Sequence, residues 1–213
     1  NKIIKKKKEL HFAVENVSIK SKKDIEIVVD IINLKLLSIE NLNNKKLKLG
    51  KEKYYVNFRH KKSKRNYLER MVNDKVKCMK ISKKYSFDYW DGDRRYGYGG
   101  FKYIPRYNED VAKKLIQTYK LTNESKILDL GCGKGFLLYE ISKILPKAKI
   151  LGLDISKYAK RYTLKEISNN IKIKDLRDKL NYQNTFFDLV ISINTLHNLK
   201  IPELYNSLSE IER

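Results

Sequence analysis

An acidic residue stands two places before three alternate glycines in the middle of the chain: Asp129 precedes Gly131, Gly133 and Gly135. Glycines at this spacing let the backbone turn tightly and leave no side chain between it and a ligand. The third glycine of a dinucleotide fingerprint, G-x-G-x-x-G, would fall at position 136, which is Phe136. A carboxylate here disfavours a pyrophosphate and favours the ammonium of an amino-acid moiety.

A second carboxylate follows at the distance that a nucleoside-binding site requires. The apolar run from Ile150 to Leu153 ends in Asp154, about 20 residues past the glycine turn, where an acid that binds a ribose belongs. Two acids, each at the end of an apolar strand, form a stronger signal than a glycine turn alone.

The acid followed by G-x-G-x-G, together with Asp154, resembles the class I S-adenosylmethionine-dependent methyltransferases. The resemblance implies a Rossmann-like sheet, S-adenosylmethionine as cofactor and methyl transfer as the activity. In the family an acid near the third strand meets the adenine, and here Asp175 or Asp178 could take that role. The residues that the resemblance assigns to the cofactor are Asp129, Gly131, Cys132, Gly133, Gly135, Asp154, Ile155, Asp175 and Asn194.

Polar residues follow the fourth predicted strand, whose Phe187-Asp-Leu-Val matches the family's F-D-x-V. Because ligands of open α/β sheets bind at the carboxyl ends of strands, Asn194 and His197 are predicted to meet the acceptor. His197 is a candidate base if the acceptor is a hydroxyl or an ammonium, and a packing role at a helix start is equally open. The family's N/D-P-P-Y/F/W signature, associated with amino groups of nucleobases or amides, is replaced by Asn194-Thr-Leu-His197. This favours a small-molecule or carbohydrate acceptor.

An aromatic segment (residues 87–103) rich in tyrosine and glycine precedes the glycine turn. Its stretch at 91–100 resembles the D-G-D-R-x-Y-G-Y-G-G segment before the domain in a group of bacterial methyltransferases. Ordering such a segment is costly unless it binds something, so it is predicted to cover the cofactor and line the acceptor pocket; a packed loop is the alternative. Asp91 and Asp93 are further candidate bases. The acceptor-side candidates are Trp90, Asp91, Asp93, Arg94, Tyr96 and Tyr98.

These residues need a parallel sheet and its helices to position them. Apolar runs predict strands at 127–130, 150–154, 171–174 and 187–193, and helical spacing predicts helices at 108–119, 136–145 and 202–211. The family's strand order is 3-2-1-4-5-7-6. Since only strands one to four are found, the chain is expected to be incomplete at its C-terminus, and a start at Asn1 suggests a processed or truncated front.

The part before the aromatic segment has a different pattern. Its β-like runs, at 11–14, 25–32, 35–39 and 54–58, predict a small β-rich region, and helical spacing follows at 63–84 with Asp74 as an N-cap in the middle. The expected division is an N-terminal appendage at 1–62, a helical and aromatic cap segment at 63–107 and the cofactor-binding domain at 108–213.

The chain is strongly basic, with 47 Lys and Arg against 25 Asp and Glu and a net charge of +22. Arg accounts for only nine of the 47 basic residues. Solvated surface lysines are therefore favoured over a dedicated phosphate-binding face. Residues 1–80 nevertheless carry 23 basic against 9 acidic side chains. The alternative is therefore that the chain is an RNA- or ribosome-associated protein.

Two distant cysteines predict no metal site and a cytoplasmic location, and no apolar run predicts a membrane segment.

Overall fold

The computed structural model describes residues 74–213 and three short strands nearer the N-terminus. These strands are β1 (Ser18–Lys20), β2 (Glu26–Val28) and β3 (Lys48–Leu49), and they form an antiparallel sheet in the order β2-β1-β3. β2 lies within the β-like run predicted at 25–32. The other predicted runs, at 11–14, 35–39 and 54–58, lie outside the described residues, as does the helical prediction for 63–73.

In the continuously described part of the chain, residues 74–213, three helices precede the central sheet: α1 (Lys75–Ser82), α2 (Phe87–Trp90) and α3 (Glu109–Tyr119). α1 begins after Asp74, as predicted, but the Asp74 side chain makes no capping hydrogen bond because its backbone is left-handed, with φ 52°. α3 carries two acidic residues in its first turn, where they favour the positive end of the helix dipole. Its buried residues are Val111, Ala112 and Leu115.

The central sheet has four parallel strands in the order β6-β5-β4-β7. They are β4 (Lys126–Leu130), β5 (Lys149–Asp154), β6 (Ile171–Ile173) and β7 (Leu189–Ile191). Counted from β4, this is the predicted order 3-2-1-4, so the predicted α/β, Rossmann-like sheet is confirmed. The crossovers contain α4 (Phe136–Ile144), α5 (Lys157–Arg161) and a 3-10 helix (Lys165–Asn170), and α6 (Ile201–Glu212) follows a second 3-10 helix (Leu196–Asn198).

Helices cover both faces of this sheet, and successive strand residues point to opposite faces, so each strand contributes buried residues to both sides. Ile127 packs on the face covered by α3 and α4, whereas Leu128 and Leu130 pack on the face covered by α6. Each such side chain contributes about 1.5–3 kcal/mol when fully buried. None of the helices in the described part of the chain is long and apolar enough to cross a membrane.

The register of the sheet places the functional candidates at one edge. Asp129 is level with Gly152 on β5 and with Ile191 on β7. The residues that follow β4, β5 and β7 therefore emerge side by side at the carboxyl ends of the strands, where open α/β sheets bind their ligands.

Candidate cofactor site

The glycine turn after β4 is held by its own backbone. Gly131, Gly133 and Gly135 have φ of 77°, 57° and 76°, a left-handed conformation that glycine adopts without strain. The N–H groups of Gly131 and Cys132 donate to the carbonyl of Leu153, and the N–H of Gly135 donates to the carbonyl of Cys132. These N–H groups, and that of Gly133, which donates to Asp154, are therefore already bonded within the protein and are not available to a phosphate.

Asp129, at the same sheet edge, has a buried carboxyl group that makes no hydrogen bond or ion pair with the described residues. Its side chain is 5% exposed, and no residue in the described part of the chain donates a hydrogen bond to it. Burial, and then the neighbouring carboxylate of Asp154, raise its pKa to about 7. A buried ionisable group without a partner is costly unless a ligand supplies the opposite charge.

Asp154, at the end of β5, has the opposite environment. One carboxylate oxygen accepts from the N–H of Gly133 at 2.8 Å, and the other accepts from the N–H of Ser156 at 2.8 Å. Burial raises the pKa of Asp154, and these two hydrogen bonds oppose the rise. Since each carboxylate oxygen accepts more than one hydrogen bond, Asp154 retains capacity for hydroxyl donors while it holds the glycine turn in place.

Trp90 of the aromatic segment packs directly on the glycine turn. Its Cη2 atom lies 2.9 Å from the point that a Cβ on Gly133 would occupy. The indole N–H donates to the hydroxyl of Ser156 at 2.9 Å and to the carbonyl of Tyr85 at 3.2 Å. The Trp90 ring is stacked on Tyr98 at 5.3 Å between centroids. The aromatic segment thus covers the turn on the side that Gly133 faces.

The other acceptor-side candidates in the aromatic segment differ in exposure. Asp91 points inward and forms an ion pair with Lys134, so its carboxylate is engaged by the protein. Asp93 and Arg94 are exposed, and Tyr96 is half-buried. The structure therefore separates Asp91 from the exposed charged groups of the same segment.

The polar residues after β7 lie at the same sheet edge. Asn194 is exposed with a left-handed backbone, φ 55°, and His197 is exposed in the second 3-10 helix. Between them, the Thr195 hydroxyl lies within hydrogen-bond distance of two carbonyls, that of Ile193 at 3.1 Å and that of Gly131 at 3.3 Å. A Cβ on Gly131 would lie 2.0 Å from that hydroxyl oxygen. Thr195 therefore ties this loop to the glycine turn.

The candidates for an adenine contact surround the end of β6. Arg177 donates through Nε to both carboxylate oxygens of Asp175, at 2.9 and 3.0 Å, and hydrogen bonding from Arg177 lowers the pKa of Asp175. Asp178 pairs with Lys174 at 3.4 Å and is more exposed than Asp175. Ile155 is 41% exposed and so offers apolar surface. Asp175 is thus less exposed than Asp178, and Arg177 already engages both of its carboxylate oxygens.

This part of the chain is similar to known methyltransferase domains. Residues 127–213 match the methyltransferase-domain family. The match supports the cofactor predicted from the sequence, S-adenosylmethionine, and agrees with the Rossmann-like sheet.

Two curated relatives are methyltransferases. The chain is 33% identical over 58 residues to a malonyl-[acyl-carrier protein] O-methyltransferase of Legionella pneumophila, covering 26% of this chain and 20% of the relative. It is 37% identical over 92 residues to the ribosomal RNA small subunit methyltransferase C of Buchnera aphidicola, covering 41% of this chain and 26% of the relative. The chain therefore spans only a small part of either relative.

Among solved structures, a SAM-dependent methyltransferase from Aquifex aeolicus is 24% identical, with a TM-score of 0.42 over 52% of this chain and 62% of that one. Because this TM-score is below 0.5, the fold assignment rests on the strand order described above.

Three residues of the region 127–213 were not predicted from the sequence to contribute to the site: Lys134, Ser156 as the partner of Trp90, and Thr195. Lys134 gave a usable signal, because a lysine between two glycines at a buried strand end requires a counter-ion.

Cys132, assigned to the cofactor from the sequence, has a thiol whose pKa is raised by burial, and its sulfur packs towards Gly152. The described residues contain no cluster of ligands for a metal ion.

Proposed function

We propose that this protein transfers a methyl group from S-adenosylmethionine to a small-molecule or carbohydrate-type acceptor. The observation that carries the proposal is the buried carboxyl group of Asp129, which accepts no hydrogen bond from the described residues, beside a turn whose three glycine N–H groups are bonded within the protein. Such a site fits a ligand with an ammonium and no phosphate. The match of residues 127–213 to a methyltransferase domain supports the same assignment.

Different residues of the site would bind different parts of the cofactor. S-adenosylmethionine supplies a methyl group that is already activated on a sulfonium. Asp129 would bind the ammonium, Asp154 the ribose hydroxyls, and Asp175 with Ile155 the adenine. Because the leaving group is activated, holding the acceptor in line with the methyl group supplies most of the catalysis.

His197 and Asn194 would meet the acceptor. Both are exposed at the end of β7, and His197 would take the proton of a hydroxyl or ammonium acceptor. The exposed Asp93 is a second candidate for this step. Asn194-Thr-Leu-His197 stands where amino-methylating relatives carry N/D-P-P-Y/F/W, and this difference supports an acceptor other than a nucleobase amino group.

A second candidate function, methylation of RNA, is favoured by two observations. One curated relative is a ribosomal RNA methyltransferase, and residues 1–80 carry 23 basic against 9 acidic side chains. Lysines in that number would add phosphate contacts whose strength falls steeply with salt.

Binding and transfer experiments separate these possibilities. Calorimetry of the full chain should show binding of S-adenosylmethionine and S-adenosylhomocysteine, and none of ATP or NAD; the reverse order would refute the cofactor. Transfer of labelled methyl is then measured to a metabolite extract and to purified RNA at two salt concentrations. Label in small molecules supports the favoured acceptor, whereas salt-sensitive label in RNA alone supports the second candidate.

A further inference from the structure

The side chain of Lys134 is buried inside the glycine turn and fully paired. It is 5% exposed, and its Nζ lies 2.7 and 3.0 Å from the two carboxylate oxygens of Asp91. The same ammonium donates to the carbonyl of Phe101 at 2.7 Å. All three donors of the ammonium are thus used within the protein, and none remains for an anionic ligand.

Asp91 completes the set of contacts. Its carboxylate also accepts from the hydroxyl of Tyr158 at 2.8 Å and from the N–H of Phe101 at 2.9 Å. Burial of Asp91 opposes ionisation, yet these bonds and the one from Lys134 lower its pKa. A largely buried ion pair in which every group is hydrogen-bonded keeps its geometry, whereas removal of one partner leaves a buried charge uncompensated.

The ion pair joins the two ends of the stretch that covers the turn. Asp91 follows Trp90 directly in the chain, and the Phe101 ring stacks on Phe136, the first residue of α4, at 5.1 Å. Trp90 lies directly before the first of these attachments and packs on Gly133. Besides the hydrogen bonds of its own indole to Ser156 and Tyr85, Trp90 is thus held over the glycine turn by the contacts that Lys134 makes with Asp91 and Phe101.

We propose that Lys134 is a positioning residue, which holds Trp90 over the glycine turn through its ion pair with Asp91 and so sets the closed position of the segment that covers the cofactor. This inference rests on the proposed function. It assigns to the lysine of the glycine turn a role towards the aromatic segment and none towards a phosphate.

The test uses Asp91→Asn and Lys134→Met in the full chain without cofactor. Each should shift the fluorescence of Trp90, the single tryptophan, to longer wavelength and accelerate tryptic cleavage after Arg94 and Arg95 about tenfold, as expected for loss of a hydrogen bond to a charged group. The double variant should recover part of both changes, because it leaves no uncompensated charge. Asp91→Glu, which keeps a carboxylate, should resemble the parent more than Asp91→Asn does.

Two further variants keep the test decisive. Lys113→Met breaks an ion pair of 2.6 Å with Glu109 on the surface of α3 and should leave emission and cleavage unchanged. Tyr158→Phe removes a single hydroxyl bond to Asp91, and it should accelerate cleavage by a smaller factor even where a charge variant fails to fold.

The outcomes are distinguishable from those of the proposed function. Parent-like emission and cleavage in Asp91→Asn, Lys134→Met and Tyr158→Phe would overturn the positioning role. Failure of the parent to bind S-adenosylmethionine would refute the proposed function instead. If both hold, Lys134→Met should weaken S-adenosylmethionine binding about tenfold, and the double variant should recover part of the loss.

Discussion

The indole ring of Trp90 lies against Gly133, with Cη2 2.9 Å from the point that a Cβ would occupy. Gly133→Ala should therefore displace Trp90 and also strain a backbone with φ 57°, lowering the free energy of unfolding by about 2–4 kcal/mol. Denaturant unfolding and Trp90 emission measure the two effects. Gly100→Ala is the control, because Gly100 also has a positive φ, 109°, but open space at its Cβ. An equal shift of Trp90 emission in both variants would contradict the contact.

Trp90 should also report the cofactor. If the aromatic segment covers the bound ligand, S-adenosylmethionine will change the emission of Trp90 and protect residues 90–103 from proteolysis. Fluorescence titration and limited trypsin digestion at matched cofactor concentrations are the measurements. A digestion pattern that stays the same at saturating cofactor would leave the segment with a packing role alone.

The sheet and the glycine turn were predictable because their signals are local. The strand runs and the spacing from Asp129 to Asp154 place both carboxylates at the carboxyl ends of β4 and β5, and the structure has them there. The ion pair of Asp91 with Lys134 joins residues 43 positions apart. No periodicity encodes such a contact, and Asp91 was therefore assigned to the acceptor side on its residue type alone.

Ser156 makes further contacts that the sequence does not predict. The hydroxyl of Ser156 caps α5, because it accepts from the N–H of Ala159 at 2.9 Å. That hydroxyl also donates to the carbonyl of Tyr85 and accepts from the indole of Trp90. Only the fold brings residues 85–90 beside the end of β5, so the second role of Ser156 could not be read from sequence.

Asp154→Ala should lower stability as well as cofactor affinity. The N–H groups of Gly133 and Ser156 would each lose a carboxylate acceptor, at roughly 1.5–3 kcal/mol per bond. Thermal unfolding without cofactor measures the first effect and calorimetry the second. Glu166→Gln, at an exposed position of the 3-10 helix Lys165–Asn170, should change neither. A fully stable Asp154→Ala variant would show that the carboxylate does not hold the turn.

His197→Gln separates binding from transfer. His197 is exposed after β7 and is proposed to act on the acceptor, so the substitution should lower kcat about 100-fold or more with little change in the affinity for S-adenosylmethionine. Initial rates with the identified acceptor, over a range of pH, provide the measurement. Unchanged kcat would assign His197 to packing at the helix start.

The charge on Asp129 makes cofactor binding depend on pH. Its pKa of about 7 in the folded chain exceeds the ordinary value, so the folded protein binds the extra proton between about pH 4 and 7, and stability falls as pH rises through that window. An ammonium ligand requires the ionised form. The affinity for S-adenosylmethionine should therefore rise about tenfold between pH 6 and 8.

Calorimetric titration of S-adenosylmethionine into the parent and Asp129→Asn at pH 6 and 8, with thermal unfolding of each apoprotein, tests the central claim most directly. The neutral variant should bind the cofactor more weakly than the parent at pH 8 and lose most of the pH dependence of binding. Without cofactor, Asp129→Asn should be more stable than the parent at pH 8, because the variant carries no buried charge at this position. Binding by Asp129→Asn as tight as that of the parent at pH 8 would contradict the assignment of Asp129 to the ammonium of S-adenosylmethionine.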